Sequence, residues 1–137
     1  MFRITILICS LIVSGCDAAN CIVNTHPEFS KNSLRNGTLN QVFEDIIKVS
    51  ISNSYEDDDY DFTFNLEGDL PSGISYETSP RQITFSGTPT ELGDFALQLS
   101  VVATARSIGT IQDPEMASEL CSDNESRDMV LSVVQGF

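Results

Sequence analysis

The chain has 137 residues, with 20 acidic and 7 basic side chains and a net charge of −13 at neutral pH. That length holds one ordinary domain with short tails. The charge argues against a nucleic-acid partner, which needs a basic face to displace counterions from phosphates, and against docking on anionic lipid through a basic patch. Hydrophobic residues make up 41% of the chain, a composition that fits neither a disordered nor a polytopic membrane protein.

The first element is an apolar run over residues 4–13, preceded by Arg3 and interrupted by Thr5, Cys9 and Ser10. A spanning helix needs about 20 apolar residues, so this run is too short and matches instead the core of a secretory signal. It leads into Val13-Ser14-Gly15-Cys16, which resembles the lipobox of bacterial lipoproteins: an aliphatic residue, two small residues that fit a narrow peptidase site, then Cys. The resemblance implies a signal peptide at residues 1–15 and lipidation of Cys16, with fatty acyl groups such as palmitate. Such anchoring, at about 0.8 kcal/mol per buried CH₂, holds the chain on the membrane permanently. It implies a bacterial cell membrane, periplasmic side. Asp17 resembles an inner-membrane retention signal, with the outer membrane as the alternative. The other reading is an ordinary cleaved signal that leaves Cys16 as a thiol. Loss of Arg3 with the signal leaves 20 acids against 6 bases, a net charge of −14.

If Cys9 leaves with the signal and Cys16 takes lipid, Cys21 and Cys121 remain, and an oxidising compartment favours a disulfide between them. It closes a loop of about 100 residues, worth up to ~4.7 kcal/mol in the chain-entropy model. Two cysteines and the single His26 do not make a tetrahedral zinc site.

Residues 16–37 read as a lipidated N-terminus and polar tether, merging into an edge strand near Cys21, Ile22 and Val23. Alternation then takes over. Phe43, Asp45, Ile47, Val49 and Ile51 share one face of a strand, opposite Lys48, Ser50 and Ser52; the charge on Asp45 places the start of its buried part near Ile46 or Ile47. Tyr60, Phe62, Phe64 and Leu66 alternate with Asp61, Thr63 and Asn65. A short strand over residues 82–86 carries Ile83 and Phe85. Phe95, Leu97, Leu99, Val101 and Ala103 mark the longest strand, and Met129, Leu131 and Val133 the last. Between these two lies an irregular stretch over residues 106–126, with a helical turn expected at residues 114–120. The five prolines, at positions 27, 71, 80, 89 and 114, are expected outside the strands. Six or seven short strands and no amphipathic helix predict an all-β fold, an immunoglobulin-like antiparallel β-sandwich of about seven strands over residues 38–137.

Within it, Leu70-Pro71-Ser72-Gly73-Ile74, then Gly87-Thr88-Pro89-Thr90, then Leu92-Gly93-Asp94-Phe95 resemble the He_PIG and cadherin-like modules of bacterial surface proteins. The resemblance covers roughly residues 38–134 and implies an immunoglobulin-like module whose motif residues are architectural. Two departures stand out. Pro80-Arg81 occupies a turn where the family carries Gly, and a single copy stands where arrays are usual.

For chemistry, the sharpest feature is Glu56-Asp57-Asp58-Asp59-Tyr60-Asp61. Asp57, Asp58, Asp59 and Asp61 are candidate calcium ligands, since a hard cation takes several carboxylate oxygens. Their spacing lacks the Gly and Glu of an EF-hand loop, and the alternative is a solvated acidic hairpin tip. Asp113, Glu115 and Glu119 form a weaker acidic group. One His, at a surface position in the tether, assembles no catalytic triad, and paired acids in so acidic a chain carry no hydrolase signal. The expectation is therefore a non-catalytic envelope lipoprotein presenting a binding module to a protein or glycan partner. The alternatives are a calcium-dependent adhesion or carbohydrate-binding module, or an accessory subunit of an envelope assembly. The loop before Cys121, stapled back by the disulfide, is the expected partner-binding surface.

Overall fold

The computed structural model describes residues 21, 23–54, 57–106 and 120–137. Eight strands follow in chain order: β1 (Pro27–Phe29), β2 (Gly37–Thr38), β3 (Phe43–Ile51), β4 (Tyr60–Glu67), β5 (Ile74–Ser79), β6 (Gln82–Gly87), β7 (Gly93–Ala105) and β8 (Asn124–Val134). They form two four-stranded sheets, β1-β3-β6-β5 and β2-β8-β7-β4. The first is the A-B-E-D sheet of an immunoglobulin-like sandwich. In the second, β4, β7 and β8 are its C, F and G strands, with the short β2 added in parallel beside β8. The fold is an all-β sandwich of immunoglobulin type.

The core forms where the alternating faces meet. Ile47, Ile83, Phe85, Leu99, Val101 and Leu131 are completely buried, contributed by both sheets. Tyr60 and Phe62 are buried as the alternation predicts, while Phe64 and Leu66 pack on the core only partly covered.

The motif segments 70–74 and 87–90 meet at one corner. Thr88 donates its amide to Gly73 O at 3.0 Å and Thr90 to Ser72 O at 2.9 Å. Gly73 and Gly87 have φ of +91° and +139°, and a Cβ on either would stand 2.0 Å from a carbonyl oxygen, of Thr88 and Gly73 respectively. Only glycine fits both demands. Ile74 is thereby dropped into the core.

Several sequence expectations change. The first strand begins at Pro27, not near Cys21. β3 ends at Ile51 and the chain turns away through Ser52, whose amide reaches His26 O at 2.9 Å, so among the described residues Cys21 and Val23 have no strand beside them. The expected tether of residues 16–37 accordingly includes structure: β1, β2 and Leu34, which is buried in the core. Pro27 stands inside β1, which its position at the start of an edge strand permits. β3 is buried from Phe43, and Asp45 is itself 8% exposed. Beyond these, β5 adds a strand that the sequence pattern did not mark, because five of its six residues are exposed and its hydrophobic alternation stops at Tyr76. β8 begins at Asn124, so the irregular stretch is shorter than expected. Its helical turn, Asp113, Glu115 and Glu119 lie outside the described residues, as does most of the loop before Cys121.

Candidate functional site

Asp45 explains how the chain crosses between sheets. After β1 it passes over the edge of the sandwich to reach β2 in the other sheet, and Asp45 holds that crossing from below. Its Oδ2 accepts the Arg35 amide at 2.9 Å and its Oδ1 the Ile46 amide at 3.0 Å, while Lys31 Nζ forms an ion pair with Oδ1. Burial pushes the carboxyl's pKa up, but the Lys31 ammonium and the two amides together outweigh it and hold it below the usual carboxylate value. Leu34, between these contacts, plugs the core.

Cys21 and Cys121 form a disulfide with Cα atoms 5.5 Å apart, and the Cys121 amide donates to Thr25 O at 2.8 Å. The start of the described chain is thus tied to the start of β8. Cys16, the candidate lipidation residue, lies outside the described residues.

The candidate calcium ligands are brought close to one another in sequence and engaged elsewhere in space. Asp57–Asp59 form a 3-10 turn leading into β4. Asp57 accepts the Ile51 amide at 2.7 Å and pairs with Arg81. Arg81 also reaches Asp58 at 3.1 Å, and Arg106 reaches Asp61 at 2.7 Å. Asp59 is exposed, with its backbone carbonyl on the Arg106 amide at 2.7 Å. Among the described residues no three His, Cys, Asp or Glu side chains are placed to hold a metal ion. Arg81, in the turn between β5 and β6, caps this acidic tip, and only the tertiary contact reveals it.

His26 is half-buried rather than at the surface, with its Nδ1 2.9 Å from Ser52 Oγ. That hydroxyl also lies 3.2 Å from Asn24 O. No carboxylate among the described residues orients the imidazole, so the pair lacks the third member of a nucleophilic triad. A shallow open groove runs over Asn32, Ser33, Glu67, Gly68, Gln98 and Asp128; within it Gln98 donates to Asp128 at 3.0 Å. Among the described residues no helix is long and apolar enough to cross a membrane.

No protein-family model and no curated protein matches the sequence. Among solved structures, the chain is similar to an endo-fucoidan hydrolase from glycoside hydrolase family 107 at 14% identity and a TM-score of 0.48, over 85% of this chain and 14% of that one. It is also similar to a chimeric titin Z1Z2 carrying an exogenous decorin peptide (10% identity, TM-score 0.47, 80% of this chain, 95% of that one). The titin M3 domain gives 15% identity and a TM-score of 0.44, over 78% of this chain and 95% of that one. The chain spans about a seventh of the hydrolase's length, and such distant likenesses carry nothing about activity.

Proposed function

We propose that this chain is a bacterial envelope lipoprotein, anchored through Cys16, that presents an acidic immunoglobulin-like module of the He_PIG type for binding and performs no catalysis. The observation that carries the reading is the staple. Only four residues lie between Cys16 and Cys21, at most about 18 Å of extended chain from one cysteine to the other. Because Cys21 is bonded to Cys121 at the foot of β8, the module is held close against the membrane instead of swinging on a long tether. A disulfide also fits the oxidising side of a bacterial membrane. The engagement of Asp57, Asp58 and Asp61 by arginines favours this reading over a calcium-dependent one.

Intact mass of protein extracted from bacterial membranes, with alkylation before and after reduction, tests the proposal. The expected result is a triacylated chain beginning at Cys16, with two further cysteines that alkylate only after reduction. A lipid-free mass overturns it.

A further inference from the structure

Of the four edge strands, two are short and two are long. β1 has three residues and starts with proline, and β2 has two. β4 has eight residues and β5 six, and both lie at the ends of their sheets on the same side of the sandwich. Residues 60–67 contain no proline, glycine or lysine, the usual devices that blunt an exposed edge.

Which backbone groups face outward from β4 follows from its pairing. Asp59 O accepts the Arg106 amide, and on the far side of β7 the Ala103 amide goes to Asp123 O. Alternation along β7 therefore directs Thr104, Val102, Ser100 and Gln98 at β4, onto Asp61, Thr63, Asn65 and Glu67. The amides and carbonyls of Phe62, Phe64 and Leu66 point the other way, and among the described residues no strand pairs with them. These three also carry the inward side chains, of which Phe64 and Leu66 are only partly covered. Across the sandwich, Tyr76 stands opposite Phe85 in the register and Thr78 opposite Ile83. Both therefore face the core side, yet both are exposed. Among the described residues the sandwich is open along this side, a slot with unpaired backbone at its rim.

We propose that the β4 edge is a docking site for an extended strand of a partner protein, one that alternates apolar with basic residues. A strand pairing with β4 places its residues opposite Phe62, Phe64 and Leu66 on the slot side, where apolar side chains complete the half-covered core. Its alternate residues stand beside Asp61, Thr63, Asn65 and Glu67. Charge selects the partner. Asp59, Glu67 and Asp69 at the two ends of β4 have no cationic partner among the described residues. Antiparallel pairing of two copies through β4 would set the Asp59 end of one against the Glu67 and Asp69 end of the other, on chains that each carry −13. Self-pairing is thereby opposed and a basic strand favoured. The inference rests on the reading of the module as a binding unit, not on its anchor, so the mass measurement above and the test below fail independently.

The test uses the disulfide-bonded chain and a nine-residue peptide alternating valine with lysine. Hydrogen exchange at the Phe62, Phe64 and Leu66 amides is expected to slow at least about tenfold on addition of the peptide, with binding that weakens as salt rises. Replacing lysine by glutamate, or placing proline at the peptide's centre, is expected to abolish the effect. Phe64→Pro removes an outward amide without touching the β7 ladder and is expected to lose binding, while Phe64→Leu retains it. Should Phe64→Pro not fold, exchange in the unsubstituted chain decides. Unchanged exchange at the three amides overturns the proposal. So does slowing confined to Ile74, Tyr76 and Thr78, equal binding of the glutamate peptide, or the same slowing in concentrated protein without peptide, which would make the edge a self-association surface.

Discussion

The two sides of the sandwich are built on opposite plans. On the β1/β2 side the edge strands are two and three residues long, one begins with proline, the crossing chain is pinned by Asp45, and a disulfide ties the chain's start to β8. On the β4/β5 side the edges are long, the ion pairs of Arg81 with Asp57 and Asp58 tie the sheets only at the entry to β4, and Phe64, Leu66, Tyr76 and Thr78 remain partly or largely in water. The difference separates stability from availability. One side spends its residues on closure, and the other leaves a hydrogen-bonding rim that only an added strand completes.

The largest effects are expected where the core is closed. Phe85→Ala removes a side chain that is 0% exposed, and a loss of about 3–5 kcal/mol is expected, read from urea unfolding. Phe64→Ala on the open side is expected to cost less than half as much, because its ring is only partly covered; equal losses would break the comparison. Next comes the staple. Cys21→Ser with Cys121→Ser opens a loop of 100 residues in sequence separation, and a loss of roughly 2–4 kcal/mol is expected, with an unchanged peptide response at β4.

Asp45→Asn is expected to cost about 2 kcal/mol, since the neutral side chain loses the Lys31 pair and keeps one acceptor oxygen where the carboxylate uses two, leaving the Arg35 or the Ile46 amide facing its NH2. The pH dependence sharpens the point. The folded carboxyl titrates below its ordinary value, so its contribution is complete above an unfolded pKa of about 4 and is lost as pH falls through the lower folded value. Unfolding measured from pH 6 down to about 2 should show an acid loss in the native chain that is smaller in the Asn variant. The smallest expected effect is that of calcium. Millimolar calcium is expected to leave Tm within about 1 °C, since the arginines already occupy three of the four carboxylates. A clear rise would restore the calcium reading of Asp57, Asp58, Asp59 and Asp61.

Much of the sandwich was legible in the chain. Strands β3, β4, β6, β7 and β8 announce themselves because burial of one sheet face imposes a period of two on local sequence, and the corner glycines because the turn demands a backbone that other residues resist. The pair Cys21 and Cys121 follows from cysteine arithmetic on the expectation that Cys9 leaves with a signal and Cys16 takes lipid. What the tertiary structure alone decided are the relations between distant residues. Asp45 reads as a misfit on an apolar face until Lys31 and two amides arrive from the crossing chain. The acidic run reads either as a calcium loop or as a solvated hairpin tip, and nothing local to it tells that Arg81 and Arg106 meet three of its carboxylates. β1, β2 and β5 escape the pattern because strands this short or this exposed are defined by their partners rather than by their own hydrophobicity. The open β4 edge is of the same kind, since whether a strand lies at the rim of a sheet depends on which strands pair beside it, and no local pattern records that.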